Sequence, residues 1–178
     1  MKNLLLTGRP GSGKSTIIQQ IVGDLKSRGI RIAGLYCPEI RGPEGRLGFK
    51  IVELSSGEER ILAHVKERGP RVSKYGVNLA NLQEMSKKAI ESLSEADVVV
   101  IDEIGPMEVM SPLFRELVQK ALNSSKPVLS AIHKRTEKGF IAEIKSRKDV
   151  EIFEVTPTRR EEIAREIKER IETLLSSK

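Results

Sequence analysis

The chain has no tryptophan, one cysteine, two histidines, two tyrosines and four phenylalanines among its 178 residues. Each scarcity excludes something. With Cys37 alone there is no disulfide within the chain, and its place in an apolar run marks it as a small packed hydrophobe rather than a reactive thiol. His64 and His133 have no Cys or His at ligand spacing, which argues against a metal centre built on them. Aromatic residues at 3% leave little to stack on nucleobases, so a nucleic-acid-binding module switched by a nucleotide ranks low. No apolar run is long enough to cross a bilayer. A strand-like stretch and a glycine loop follow Met1 within a few residues, leaving no room for a signal peptide, so a cytoplasmic protein is expected. The Asn/Thr-Lys-x-Asp tetrad that reads guanine in regulatory GTPases is missing, and no arginine-rich lid stands out.

Charge is abundant but not segregated. Thirty-one basic residues against twenty-five acidic ones give a net +6, yet Lys and Arg alternate with Glu, as in TRREEIAREIKERIE at 158–172. That pattern reads as a solvated mixed-charge surface with some positive charge near a polyphosphate site.

Apolar patterning runs from end to end and gives the fold class. KNLLLT (2–7), ADVVVID (96–102), KPVLSAI (126–132) and VEIFEVT (150–156) read as short buried strands. Between them lie helical stretches at 15–28, ending at a capping Gly29, at 79–93, from Ser111-Pro112 to about Asn123, and at 136–147. A last helix opens with Thr158 and Glu161 at capping-box spacing and carries Ile163, Ile167, Ile171, Leu174 and Leu175 on one face. Alternating buried strands and helices predict an α/β domain with a mostly parallel sheet covered on both faces. Residues 34–65 interrupt the alternation with short strands and tight turns, and predict a small antiparallel insertion on the sheet edge within one domain spanning 1–178.

Residues 8–15 read Gly8-Arg9-Pro10-Gly11-Ser12-Gly13-Lys14-Ser15, a full match to G-x-x-x-x-G-K-[ST]. The glycines let successive backbone N–H groups turn inward around anionic oxygens. The helix that follows presents unpaired N–H groups and the positive end of its dipole. Lys14 places a point charge on the β- and γ-phosphates, the Ser15 hydroxyl is a ligand for Mg²⁺, and Thr16 is expected to donate to the α-phosphate. A chance match arises in roughly one chain in a few hundred, and this one sits between a buried strand and an amphipathic helix, as the motif requires.

VVVIDEIG (98–105) supplies the partner. Asp102, at the C-terminal end of a buried strand, is placed to hold the Mg²⁺ shell with Ser15. Glu103, next in the chain, is placed to deprotonate a water for in-line attack. Lys14 and Glu103 are thus the candidate catalytic residues. Arg9 and Arg135 are candidates for transition-state contacts but read as surface arginines. The pattern points to Mg²⁺-dependent hydrolysis of nucleoside triphosphates by a monomer, with no nucleic-acid or membrane partner. A nucleoside or nucleotide kinase is the alternative, with residues 133–148 (HKRTEKGFIAEIKSRK) as its lid.

The chain resembles the thermophilic nucleoside-triphosphatase family, whose animal members are called cancer-related nucleoside-triphosphatases. The resemblance spans nearly the full length. It rests on GRPGSGKST at 8–16, GLYCPEIRGPEGRLGFKIVEL at 34–54, KYGVNL at 74–79, DEIGPMEVMS at 102–111 and TPTRR at 156–160. The DEIG-x-ME string is the most specific of these. The resemblance implies a P-loop, RecA-like α/β domain that hydrolyses ATP, GTP, CTP and UTP with loose base selectivity, its phosphate loop and DEIG strand forming the site. Arg9 and Asn78 depart from the family pattern, where an apolar or proline residue and an acidic residue are usual.

Overall fold

The computed structural model describes residues 1–177. Ten strands among these residues form one sheet: β1 (Asn3–Thr7), β2 (Ile32–Tyr36), β3 (Glu39–Gly42), β4 (Gly45–Glu53), β5 (Glu59–His64), β6 (Arg71–Val72), β7 (Tyr75–Val77), β8 (Val98–Ile104), β9 (Val128–Ile132) and β10 (Val150–Glu154). Their order is β10-β1-β9-β8-β2-β4-β5-β7-β6, with β3 paired to β4 alone. The five strands β10, β1, β9, β8 and β2 run parallel. From β4 outward every pairing is antiparallel.

Helices cover both faces of the parallel part, for a reason written in the alternation of each strand. Leu4 and Leu6 of β1 point into one core with Val98 and Val100 of β8. There they meet α1 (Lys14–Ser27) through Ile17, Ile18, Ile21 and Leu25, and α5 (Arg160–Ser176) through Ile163, Ile167 and Ile171. Leu5, Val99 and Ile101 point into the other core. It is closed by α2 (Leu79–Ser92), α3 (Pro112–Asn123) and α4 (Gly139–Lys145). A strand buried on both faces carries apolar residues at nearly every position, and this is what made the parallel strands readable.

Helix ends follow from single side chains. Ser111 accepts a hydrogen bond from the Phe114 N–H at 3.1 Å, with Pro112 in the first turn behind it. The same hydroxyl donates to Gln83 Oε1 at 2.8 Å, joining α3 to α2. Ser111→Ala is therefore expected to lower the unfolding free energy by about 1–2 kcal/mol. An unchanged denaturation midpoint would show that this cap is not formed in solution. Asn78, the departure from the family's acidic residue, accepts from the Asn81 N–H at 2.9 Å and caps α2. Asparagine and aspartate cap equally well, so the change is neutral for the helix.

Three expectations are corrected. The antiparallel region does not begin at 34: β2 pairs with β8 in parallel and belongs to the buried core, and the antiparallel strands continue past 65 through β6 and β7 to Val77. The helix expected over 136–147 spans only Gly139–Lys145, since Lys145 Nζ ties the preceding turn through the Lys134 and Thr136 carbonyls. The Thr158–Glu161 capping box does not form. The last helix starts at Arg160 with no side-chain cap, and the Thr158 hydroxyl lies 3.3 Å from that of Thr156 instead. Glu161 and Glu162 favour that start through the helix dipole.

Candidate active site

A cavity of about 860 Å³ opens along the C-terminal edge of the parallel strands, within the range of small-molecule sites. Crevices at this edge bind ligands in open α/β sheets because strand ends and helix N-termini converge there. Every predicted site residue lines it: Gly8, Arg9, Pro10, Gly11, Ser12, Gly13, Lys14, Ser15, Thr16, Asp102 and Glu103.

The phosphate loop joins β1 to α1. Gly8 has no room for a side chain: a Cβ there would lie 2.6 Å from the Val155 carbonyl oxygen and 2.7 Å from Ser12 Oγ. Gly13 adopts φ +108°, in the left-handed region, and a Cβ on it would fall 2.3 Å from Cδ of Arg160. The N-terminus of α1 has no side-chain cap, so its N–H groups are left to face the cavity. Lys14 Nζ donates to the Gly8 carbonyl at 2.7 Å, folded back over its own loop.

Asp102 and Glu103 come from β8, two strands away through β9. Asp102 is 5% exposed, and its Oδ2 is buried without a hydrogen-bond partner. Burial and the neighbouring Glu103 push its pKa up to about 7, while the Ser15 hydroxyl and Lys14 pull the other way. A buried carboxylate oxygen with no partner, facing a serine hydroxyl, is a donor set suited to a hard divalent cation such as Mg²⁺.

A third carboxylate completes the floor. Glu108 is also 5% exposed, and its pKa is pushed up to about 8 by burial and by Glu103. A Cβ on Gly105 would be 3.0 Å from Glu103 Oε1 and 3.1 Å from Glu108 Oε1, so both carboxyls crowd the same side of that glycine. The Cys37 thiol hydrogen-bonds Glu108. Burial, then the carboxylates, raise the thiol well above its ordinary range. Cys37 thus behaves as the packed residue expected, although it also lines the cavity.

A family model described as NTPase matches residues 3–168. The nucleoside-triphosphatase THEP1 of Thermofilum pendens is 46% identical over 173 residues, covering 93% of this chain and 95% of its own. The chain belongs to the nucleoside-triphosphatase family. The crystal structure of THEP1 from the hyperthermophile Aquifex aeolicus superposes with a TM-score of 0.78 at 30% identity, over 93% of this chain and 96% of that one. The solution structure of a human cancer-related nucleoside triphosphatase gives 0.79 at 34% identity, over 97% and 98%. The fold is accordingly that of the P-loop nucleoside-triphosphatases.

Within this family frame, several cavity residues escaped sequence reasoning. Glu108 stood inside the DEIG-x-ME string and Arg160 inside TPTRR, both quoted as signatures without a role. Arg160 lies across Gly13 with Nη1 3.2 Å from the ideal Cβ position. Its place just beyond the C-terminal end of β10 was the usable signal, because that edge is where ligands bind. Arg9, Lys134, Arg135 and Arg160 all line the cavity as exposed residues. His133 Nδ1 pairs with the Thr136 hydroxyl at 2.8 Å. No metal-ligating cluster of three or more His, Cys, Asp or Glu occurs among the described residues. No helix there is long and apolar enough to cross a membrane. Tyr36, Arg46 and Phe49 also reach the cavity, from the segment expected as a small antiparallel insertion on the sheet edge.

Proposed function

We propose that this chain, acting as a monomeric single domain, hydrolyses nucleoside 5′-triphosphates to the diphosphate and phosphate with Mg²⁺ and little base selectivity. The observation that carries the reading is that the phosphate loop and the Asp102 carboxylate, whose Oδ2 is buried without a hydrogen-bond partner, line one cavity. The loop amides of Gly8–Thr16 cradle the phosphates. Lys14 leaves the Gly8 carbonyl for the β- and γ-oxygens, and Thr16 donates to the α-phosphate. Ser15 and Asp102 would hold Mg²⁺, which when bound neutralises charge on the β- and γ-oxygens. Glu103, half-buried beside Asp102, takes the proton of the attacking water. The cavity offers no guanine-reading tetrad, in keeping with loose selectivity. Arg9, Arg135 and Arg160 line the cavity as exposed side chains, and in this reading none serves as an arginine finger, so turnover is slow without a partner's arginine. Such an arginine is worth on the order of 10³–10⁵ in rate.

Phosphate release from ATP, GTP, CTP and UTP tests this directly. The expected result is slow release from all four at rates within about tenfold, without any acceptor, and none after chelation of the divalent cation. Loose selectivity follows because a few kcal/mol of base contact would be needed for more, at 1.4 kcal/mol per decade. Release that requires a nucleoside or nucleoside monophosphate, with the phosphoryl group found on it, would make the chain a kinase and overturn this reading.

A further inference from the structure

Hydrolysis needs one anion-binding end, and this cavity has two. The loop sits on β1, the carboxylates on β8 and the β3–β4 hairpin beyond β2. At about 4.8 Å per strand the carboxylates stand about 10 Å from β1 and β4 about 19 Å from it. Tyr36 pairs with Val52 where β2 ends, and Phe49 lies three residues further along β4. The hairpin therefore overhangs the edge by about 10 Å, forming a wall across from the loop.

At the head of that wall Arg46 is held from three sides. Its Nε donates to Tyr75 Oη at 2.8 Å and its Nη1 to Glu39 Oε1 at 3.0 Å. Its Cζ lies 5.0 Å above the Phe49 ring. Phe49 and Tyr75 meet edge to face at 5.5 Å. Arg41 binds the other oxygen of the same carboxylate, Nε to Glu39 Oε2 at 2.9 Å. Two guanidiniums share one carboxylate, leaving an excess positive charge, and the Lys74 ammonium lies 5.6 Å from the Tyr75 ring. Neither Nη2 proton of Arg46 has an acceptor among the described residues, and its side chain is still 41% exposed. A pre-set planar fork with open donors matches a phosphate. Phe49, Val72 and Met107 add apolar lining alongside.

We propose that this arm of the cavity binds a phosphomonoester bearing a planar ring, of the nucleoside monophosphate class, while a triphosphate occupies the loop. Arg46 and Arg41 take its phosphate and the apolar lining takes its ring. The placement of the triphosphate rests on the phosphate-loop reading, and nothing else in the proposal does.

The test is calorimetric titration of AMP, GMP, CMP, UMP and inorganic phosphate into the full chain saturated with a non-hydrolysable triphosphate and Mg²⁺. At least one monophosphate is expected to bind the saturated protein, more tightly than inorganic phosphate. Arg46→Ala and Arg41→Ala should each weaken it tenfold or more and change triphosphate affinity less than twofold. Arg46 braces the hairpin, so Arg41→Ala, whose side chain is 67% exposed and pairs among the described residues with Glu39 alone, keeps the test decisive if Arg46→Ala unfolds. In Lys14→Ala, monophosphate binding should persist while triphosphate binding weakens about 100-fold or more, which separates a failure of the loop reading from a failure of this one. Monophosphates that bind only by displacing the triphosphate, or arginine variants that bind as wild type, would overturn the proposal. So would a short oligothymidylate that binds tighter than any monophosphate and is lost in the same variants, since that would place a nucleic-acid backbone on the wall.

Discussion

Glu103→Gln is expected to lower the single-turnover rate of triphosphate cleavage by roughly 10²–10⁴-fold, the span of a positioned general base, with nucleotide affinity within a few-fold of wild type. The substitution keeps volume and hydrogen-bonding reach and removes the carboxylate's charge and its ability to accept a proton. Binding should survive because the groups proposed to hold the phosphates are elsewhere: the loop amides, Lys14 and the N-terminus of α1. The charge Glu103 carries also opposes ionisation of its neighbours. It is the second cause, after burial, of the raised pKa of both Asp102 and Glu108. Removing it lets Asp102 ionise more readily near neutral pH, which offsets the lost attraction of Glu103 for a bound cation and keeps affinity within a few-fold. A drop in rate with affinity intact is thus the signature of a lost base rather than a damaged pocket. Glu108→Gln is the control, since Glu108 shares the floor but is raised toward its neutral form. Normal turnover by Glu103→Gln would remove Glu103 from this role, and a loss confined to Glu108→Gln would transfer it.

The groups that could be read in the sequence are those whose partners lie close by or repeat with a period. The phosphate loop is contiguous, and its strand and helix flank it directly. Ser111 announces α3 because its acceptor, the Phe114 N–H, is three residues away. Strands β1, β8 and β9 are apolar at nearly every position, which only a sheet covered on both faces requires. The second arm of the cavity has none of these properties. Arg46 and Tyr75 are 29 residues apart, and Glu39 and Arg46 meet only because the hairpin folds. Strands as short as β6 and β7, of two and three residues, carry no measurable alternation. The start of β2 misled for the opposite reason. Only Cys37 and Pro38 separate its apolar run from the hairpin, so the change from parallel to antiparallel pairing at β4 leaves little mark in composition. Arg160 was missed because an arginine opening a charged helix looks like surface, although its place beyond the end of β10 pointed to the cavity where it lies across Gly13.

Lys14→Ala is expected to raise the dissociation constant for Mg²⁺-triphosphate by about 100-fold or more while leaving the fold intact. Truncating one partner of a hydrogen-bonded charge pair costs about 2–5 kcal/mol, and 1.4 kcal/mol is a decade in affinity. The free protein sets part of this value. Lys14 Nζ already donates to the Gly8 carbonyl at 2.7 Å, so binding exchanges that neutral acceptor for phosphate oxygens rather than starting from an unbound ammonium. The exchange is favourable because charged acceptors bind roughly twice as strongly as neutral ones. Some affinity should remain, since the loop amides and the dipole of α1 are untouched, the dipole contributing about 0.3–1 kcal/mol at an exposed site. Stability should change little: the residue is half-buried on the cavity wall, and the Gly8 carbonyl it releases can turn to water. Calorimetric titration of a non-hydrolysable triphosphate, with a thermal melt of the same sample, separates the two effects. Affinity within threefold of wild type in a folded variant would mean that the triphosphate does not sit on this loop. Lys14→Met supplies the last discrimination. It restores most of the side chain's length and apolar stem without the charge, so equal losses in both variants assign the effect to the ammonium and not to packing.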